Sequence, residues 1–491
     1  MLTLIPSIVA LKKPNYLFLT LLVVLPINGY AEEAKNSTQL DTQQVNANLT
    51  DIASQPTKVM SKEESIEYLR KHPAELEATL SQLILRQDAQ SLKELIPVYA
   101  QYPKRDDSLI DWGNAIIALK EGRINDAIQG YRKVNAVLPN IKSLRFQLAF
   151  ALYQDKQYKA AKNELEKLRS VVTNQADIEG INKLINTIDN QDRWTYDFNL
   201  SFLDDKNLTN APPVGTSIKD GTLVYRQPHE EGQGIGYSVG ANKKWAIDDR
   251  YFTSLHLGAF GKNYWDNKKF NEVYGNIGAG VGYQNAMTEV ELYPSFTQGW
   301  YGGGNNRKNG NDDLERYSEN KAMNLSVNHW LNPKTLYQNY SQYGRVRYEG
   351  NDDVNNMNTS LFSNTLVYLP KQTRSFWGGL DYLKADNTEG YDGDSYDRWG
   401  VRLGWSEAWG RGISTRLNLG YAQRNYDAPQ DFIDIKRENK EYDLGVSLWK
   451  RDFTLFKLTP RLTWNYHKVT SNSAFEEYSK NNVNLELTQT F

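Results

Sequence analysis

The side chains able to do chemistry in this chain are few and far apart. Five histidines, His72, His229, His256, His329 and His467, are scattered along it, and no H-E-x-x-H pair sets two imidazoles one helical turn apart for zinc. Cysteine is absent, which removes thiolate catalysis, thiolate metal sites, disulfides and a lipidated N-terminal cysteine on this chain. No G-x-S-x-G nucleophile elbow and no Walker loop occurs. The runs "GAGVG" and "GIGYSVG" look like phosphate-binding glycines but fall inside predicted strands with no helix after them, so close packing or wall curvature explains them better. The acidic loop Glu389, Asp392, Asp394 and Asp397 has the oxygen ligands calcium takes but lacks EF-hand order, and reads as a solvated surface loop. No catalytic, cofactor or metal set is assigned, and the chain is read as no enzyme.

The informative residues are those that build surfaces. The chain has 491 residues, enough for more than one domain. A formal net charge of −2 gives no pull toward nucleic acid. Tyr 31 and Trp 12 combine with a mean hydropathy of −0.65, the composition of a transmembrane β-barrel with a polar lumen and aromatic girdles. At the N-terminus, Lys12 and Lys13 precede the apolar run "YLFLTLLVVLPI", and Gly29 and Ala31 stand at −3 and −1 of a cut before Glu32. This reads as a signal peptide over 1–31, with a membrane anchor as the alternative. The run is shorter than the roughly 18–20 residues of a spanning helix.

A polar linker, 32–60, precedes a helical region, 61–192. Ser61 and Glu64 form a capping-box pattern, and helices are predicted at about 74–86 and 88–101. Ala115, Gly122, Ala127, Tyr131 and Pro139 fall at tetratricopeptide (TPR) positions. A shift of 34 residues carries Ala115 to Ala149, Ala127 to Ala161 and Tyr131 to Leu165, with Tyr158 opening the second helix of the later unit. Small residues at the helix crossings with a bulky one behind are what such a stack needs. Lys156 stands where Gly122 would recur, a departure from the pattern. The domain either presents a concave groove to an extended partner or simply packs on the other half.

From 193 to 491 the period becomes two. "WTYDFNLSF" sets Trp194, Tyr196, Phe198, Leu200 and Phe202 on one face, and about fourteen such segments follow to the end. The connections alternate long and tight, with "IDD", "QNA", "LNPK", "LPKQ", "WGRG" and "KRD" the tight ones. An outer-membrane barrel has this asymmetry between its two rims; a soluble sandwich would alternate its residues but not sort its loops. Val483, Leu485 and Leu487 run to Phe491 and read as a C-terminal insertion signal. The expected fold is a TPR-like α-solenoid on the periplasmic side, followed by an antiparallel transmembrane β-barrel of about 14 strands.

The segments "AIIALKEGRINDAIQGYRKV", "LAFALYQDKQYKAA", "ANKKWAIDDRYF", "FWGGLDYL", "NKEYDLGVSLWKRDF" and "LTPRLTWNYHKVTSNSAFEEYSKN" resemble the surface lipoprotein assembly modulators (Slam proteins) of Gram-negative bacteria. The resemblance covers nearly the whole mature chain and is weakest over 32–100. It implies an outer-membrane translocon whose TPR domain engages a client and whose barrel passes it to the surface. Implied clients are surface lipoproteins or secreted haem- and iron-acquisition proteins; periplasmic chaperones, the barrel-insertion machinery and outer-membrane lipid are implied partners. A TPR-barrel polysaccharide export porin is the alternative, disfavoured by the mixed strand-borne charges Arg345, Arg347, Asp381, Arg402 and Glu438. A structural or adhesive barrel is the third reading.

Overall fold

A computed structural model describes residues 62–218, 221, 223–304, 313–430, 434–454 and 458–490. The signal and cleavage residues Gly29 and Ala31, the linker, Ser61 and Phe491 lie outside the described residues.

Among the described residues eight helices come first: α1 (Lys62–Lys71), α2 (Pro73–Arg86), α3 (Ala89–Tyr99), α4 (Asp107–Lys120), α5 (Ile124–Val137), α6 (Lys142–Gln154), α7 (Tyr158–Arg169) and α8 (Gln175–Asp189). Their starts are set locally. The Asp88, Asp106 and Asn174 side chains accept the N–H of Ser91, Ser108 and Ala176 at 3.1, 2.8 and 2.9 Å, satisfying donors that a helix leaves orphaned. Pro73 enters α2 at its first turn, where no N–H is needed. The stack is held by one continuous apolar core in which Ala115, Ala127, Ala149 and Ala161 are buried, with Tyr131 and Leu165 behind them. A Cβ on Gly130 would lie 2.8 Å from that of Ala115, so the absence of a side chain sets how closely α4 and α5 cross. Between repeats, the buried Trp112 indole N–H donates to Gln147 at 2.6 Å.

Strand β1 (Thr195–Asp205) leads through a hairpin, β2 (Ser217–Ile218) and β3 (Leu223–Val224), to β4 (Gly232–Ala246). Then come β5 (Tyr251–Tyr264), β6 (Glu272–Gln284), β7 (Thr288–Tyr301), β8 (Glu315–Asn332), β9 (Thr335–Tyr348) and β10 (Met357–Lys371). The last six are β11 (Arg374–Asn387), β12 (Tyr396–Ala408), β13 (Ile413–Pro429), β14 (Lys436–Lys450), β15 (Thr459–Ser471) and β16 (Tyr478–Thr490). All but the β2–β3 hairpin form one closed antiparallel barrel of 14 strands, with β16 returning to pair with β1.

The alternation sorts the two faces. Leu380, Leu403 and Val281 stand outward, 62%, 53% and 56% exposed, while their neighbours Asp381 and Arg402 point in and pair. Apolar residues exposed in a band around every wall require lipid, not water, outside. Trp245 and Tyr251 edge the band near one short turn and Trp265 and Trp399 near the opposite rim. Turns and long loops segregate between the rims with one departure. After β14 the "KRD" residues do turn, the Lys450 carbonyl accepting the Phe453 N–H at 3.2 Å, but β15 pairs with β14 only from Arg461 opposite Trp449, so this connection is longer than the other turns of its rim. Leu380→Arg, in mid-belt, is expected to cost about 2–4 kcal/mol of folding stability, measured by reversible unfolding from lipid bilayers.

Candidate functional site at the helix–barrel joint

The short turns of the barrel carry the surface on which the helices sit. In the β4–β5 turn, Asp248 accepts the N–H of Arg250 and Tyr251 at 2.9 and 3.1 Å, bonds that hold its carboxyl below the usual carboxylate range. That closure turns Asp249 and Arg250 toward the helices. Helix α7 has no cap of its own at Gln157; Asp249 supplies one from the barrel, its carboxylate accepting the Ala160 N–H at 3.1 Å at the positive end of the helix. Lys159 donates to the Ile247 carbonyl at 2.8 Å.

Asp155, buried at the corner between α6 and α7, is the centre of the joint. Its carboxylate accepts from Arg250 at 2.8 Å, from the Gln157 amide at 2.6 Å and from the Ala286 N–H of the β6–β7 turn at 3.2 Å. Arg250 also reaches Asn125 of α5 at 2.7 Å and the Tyr283 hydroxyl at 3.2 Å. The β6–β7 turn is shaped by Asn285, whose side chain accepts the N–H of Met287 and Thr288 at 2.9 and 2.8 Å. One buried carboxylate thus ties two helices to two turns. A charge-assisted, multiply bonded arrangement of this kind fixes orientation.

Lys156 extends the joint into the lumen. It takes the left-handed conformation, φ 60°, as Gly122 does at φ 78°. The Gln157 N–H closes onto Leu152 as the Arg123 N–H closes onto Ala118, at 2.9 and 2.8 Å, so both helices end in the same motif. A lysine there carries a conformational cost of roughly 1–2 kcal/mol that glycine avoids. Its ammonium, however, meets Glu289 at 3.2 Å, and Glu289 pairs in turn with Lys244 at 2.6 Å. Further along the same wall, Glu291 accepts from His256 at 2.6 Å and from Ser254.

The opposite wall continues this pattern. Arg402 pairs with Asp381 at 2.5 Å and donates to Ser363; Arg398 and Arg424 both hold Glu441 at 2.8 Å. Toward the long-loop rim, Tyr340, Met357, Leu361, Leu383, Tyr396 and Tyr426 pack into an apolar cluster, and Arg437 stacks 3.7 Å over Tyr426. Asp381 and Glu441 are each held by arginine, so this wall is wet and carries charges of both signs.

The repeat residues Ala115, Ala127, Tyr131, Ala149, Ala161 and Leu165 come together in the helical core. Gly122 ends α4, Tyr158 rests against Tyr153, and the Pro139 carbonyl accepts from Arg145 at 2.8 Å. Val483 and Leu485 face outward in the apolar band, and Leu487 pairs with Leu200. The histidines stay apart: His72 stacks on Tyr68, His229 meets the Pro212 carbonyl, His329 meets Thr288 and His467 meets Asp443. The acidic loop disperses, with Asp394 toward Arg437, Asp397 on Tyr382 and Glu389 on Asn356. In "GAGVG", a Cβ on Gly282 would strike the Phe252 ring at 2.1 Å, so that glycine makes room for an inward ring. Asp155, Asp249 and Arg250 were missed by sequence reasoning. The usable signals were the tight turn "IDD" and the lysine at a glycine position.

Exchanging the charges at the joint tests it. Asp155→Arg or Arg250→Asp alone is expected to widen the distance distribution between spin labels on α8 and on the β8–β9 turn, and the double exchange to narrow it again. Lys156→Gly is expected to slow hydrogen exchange at the end of α6, a gain of about 1 kcal/mol, while broadening the same distance distribution.

Comparison with known proteins follows the same division. The description "Surface lipoprotein assembly modifier" matches residues 194–491, and "Surface lipoprotein assembly modifier, N-terminal TPR repeats" matches 63–165, reaching back into α1–α3, where the quoted segments had not. Surface lipoprotein assembly modifier 1 of Haemophilus influenzae strain Rd is 37% identical over 425 residues, 87% of this chain and 86% of that protein. Surface lipoprotein assembly modifier 2 of the same strain is 35% identical over 484 residues, covering 97% and 98%. A more distant relative, the hemophilin secretion modulator of Acinetobacter baumannii, is 24% identical over 414 residues, covering 80% and 81%. The helical repeats and the 14-strand barrel are therefore the two parts of one known architecture, and the chain belongs to the surface lipoprotein assembly modifier family.

Proposed function

We propose that this protein carries lipoproteins, or secreted haem- and iron-acquisition proteins, from the periplasm across the outer membrane to the cell surface. The helical domain stands on the periplasmic side and receives the client; the barrel passes it outward. The observation that carries this reading is the joint. A repeat domain of the kind that binds extended partners is mounted on the short-turn rim, which in outer-membrane barrels is the periplasmic one. From that mount, Lys156, Glu289 and Lys244 lead directly onto the lumen wall. The names of the relatives, surface lipoprotein assembly modifier and hemophilin secretion modulator, support both kinds of client.

No nucleotide-binding motif occurs in the sequence, so direction has to come from the client. A client held unfolded by periplasmic chaperones and folding only outside gains roughly 5–15 kcal/mol at the far side, enough to make the passage one-way. The barrel itself reaches the membrane through the barrel-insertion machinery. The test uses intact cells labelled with palmitate. Deleting the gene is expected to leave the total of palmitate-labelled proteins unchanged while a subset becomes resistant to external protease, and re-expression of this chain to restore their cleavage. An unchanged cleavage pattern on deletion, together with an unchanged set of proteins in the culture medium, would sink the reading.

A further inference from the structure

Apart from a two-residue break in the β6–β7 ladder opposite Tyr293 and Pro294, one seam of the barrel stands out as closed over only part of its height. Between β1 and β16 the ladder runs from Asp197 opposite Thr490 to Ser201 opposite Glu486 and stops after five pairs. Continued in register, Phe202 would face Leu485 and Asp205 would face Asn482; neither pair forms. Neither strand has ended. β1 stays paired with β4 as far as Asp205 opposite Gly232, and β16 stays paired with β15 as far as Tyr478 opposite Val469. Two extended edges therefore face each other over the half of the wall nearer the long loops, each aiming the N–H and C=O of every second residue into the gap. Inside a membrane such groups have no water to bond and cost several kcal/mol each. Among the described residues, side chains bridge the two sides: at the rim the Tyr225 and Phe475 rings meet with centroids 6.3 Å apart, and within the wall the Lys480 ammonium meets the Asp205 carboxylate at 2.8 Å, both largely buried. The gap is charged on its lumen side through that pair and apolar on its outer side, where Phe202, Val483 and Leu485 are exposed.

We infer that this half-seam is a lateral exit, latched by Lys480 and Asp205, for the extended segment next to the acyl chains of a lipid-anchored client. The inference rests on the transport reading above and names its route. An extended segment lying in the gap supplies the missing backbone partners by strand addition. Its acyl chains stay on the lipid side against Phe202, Val483 and Leu485. The alternative path, through the lumen, would drag those chains past the Arg402–Asp381 and Arg398–Glu441 pairs, at a cost of about 0.8 kcal/mol for each CH2 taken out of an apolar environment.

The natural chain has no cysteine, so an introduced pair forms one defined bridge. Phe202→Cys with Leu485→Cys occupies the first unpaired register position, and its oxidation requires the two edges to close. Leu448→Cys with Leu462→Cys bridges two outward residues already in register between β14 and β15, away from the gap, and serves as the control. The readout is the fraction of palmitate-labelled protein that external protease removes from intact cells, with heat-modifiable mobility on gels confirming a folded barrel. Oxidation of the seam pair is expected to lower that fraction at least tenfold, with recovery on reduction, and oxidation of the control pair to leave it unchanged. Equal cleavage with the seam bridge oxidised or reduced overturns the lateral exit alone. Loss of the readout between wild-type and deleted cells would instead be a failure of the transport reading.

Discussion

A backbone inside hydrocarbon has no solvent for its hydrogen bonds, so every strand needs a neighbour on both sides. That requirement forces this chain into a ring, and the ring sets the remaining features of the barrel. Because β16 must return to β1, the first strand lies beside the last although nearly 300 residues separate them. The helical domain enters at β1, and so it is delivered to the rim that also carries the short turns. The one seam formed by distant parts of the chain is also the one where the ladder runs out before the strands do.

The joint shows how a rigid ring and a stack of helices become one body. Turns two to four residues long cannot carry a domain interface by area, so the contact is made of a few directed bonds. Asp155 gathers an arginine, an amide side chain and a backbone N–H. Its burial means that each lost partner would leave a desolvated charge, which makes the geometry sharply preferred. Asp249 completes a helix cap that the helix itself lacks. Lys156 accepts a strained backbone and in return places a cation at the lumen wall. The local misfit in the repeat and the contact between domains are the same residue.

Inside the barrel, charges are matched across neighbouring strands. Glu441 of β14 is held by Arg424 of β13 and by Arg398 of β12, and Asp381 of β11 by Arg402 of β12. Paired in this way they keep water on the wall. A wet, charged lumen of that kind is unfavourable for apolar chains.

Much of this was legible in the residues alone, for a physical reason. Alternation at every second residue, the 34-residue recurrence of alanine and the tight turns are all properties of short stretches. Covalent geometry converts them directly into a strand face, a helix crossing or a rim. The family resemblance likewise rested on contiguous segments. The length of the connection after "KRD" was misjudged because the register that sets Arg461 opposite Trp449 is not a property of that segment. Other features needed the closed ring. That Asp155 meets Arg250, that Glu441 meets Arg398 and Arg424, and that the pairing of β1 with β16 stops at Ser201 depend on which distant residues the register brings opposite one another. Register around a barrel is settled only when its two ends meet, so no local pattern encodes it; only the tertiary structure decided where the joint, the charge pairs and the open half-seam lie.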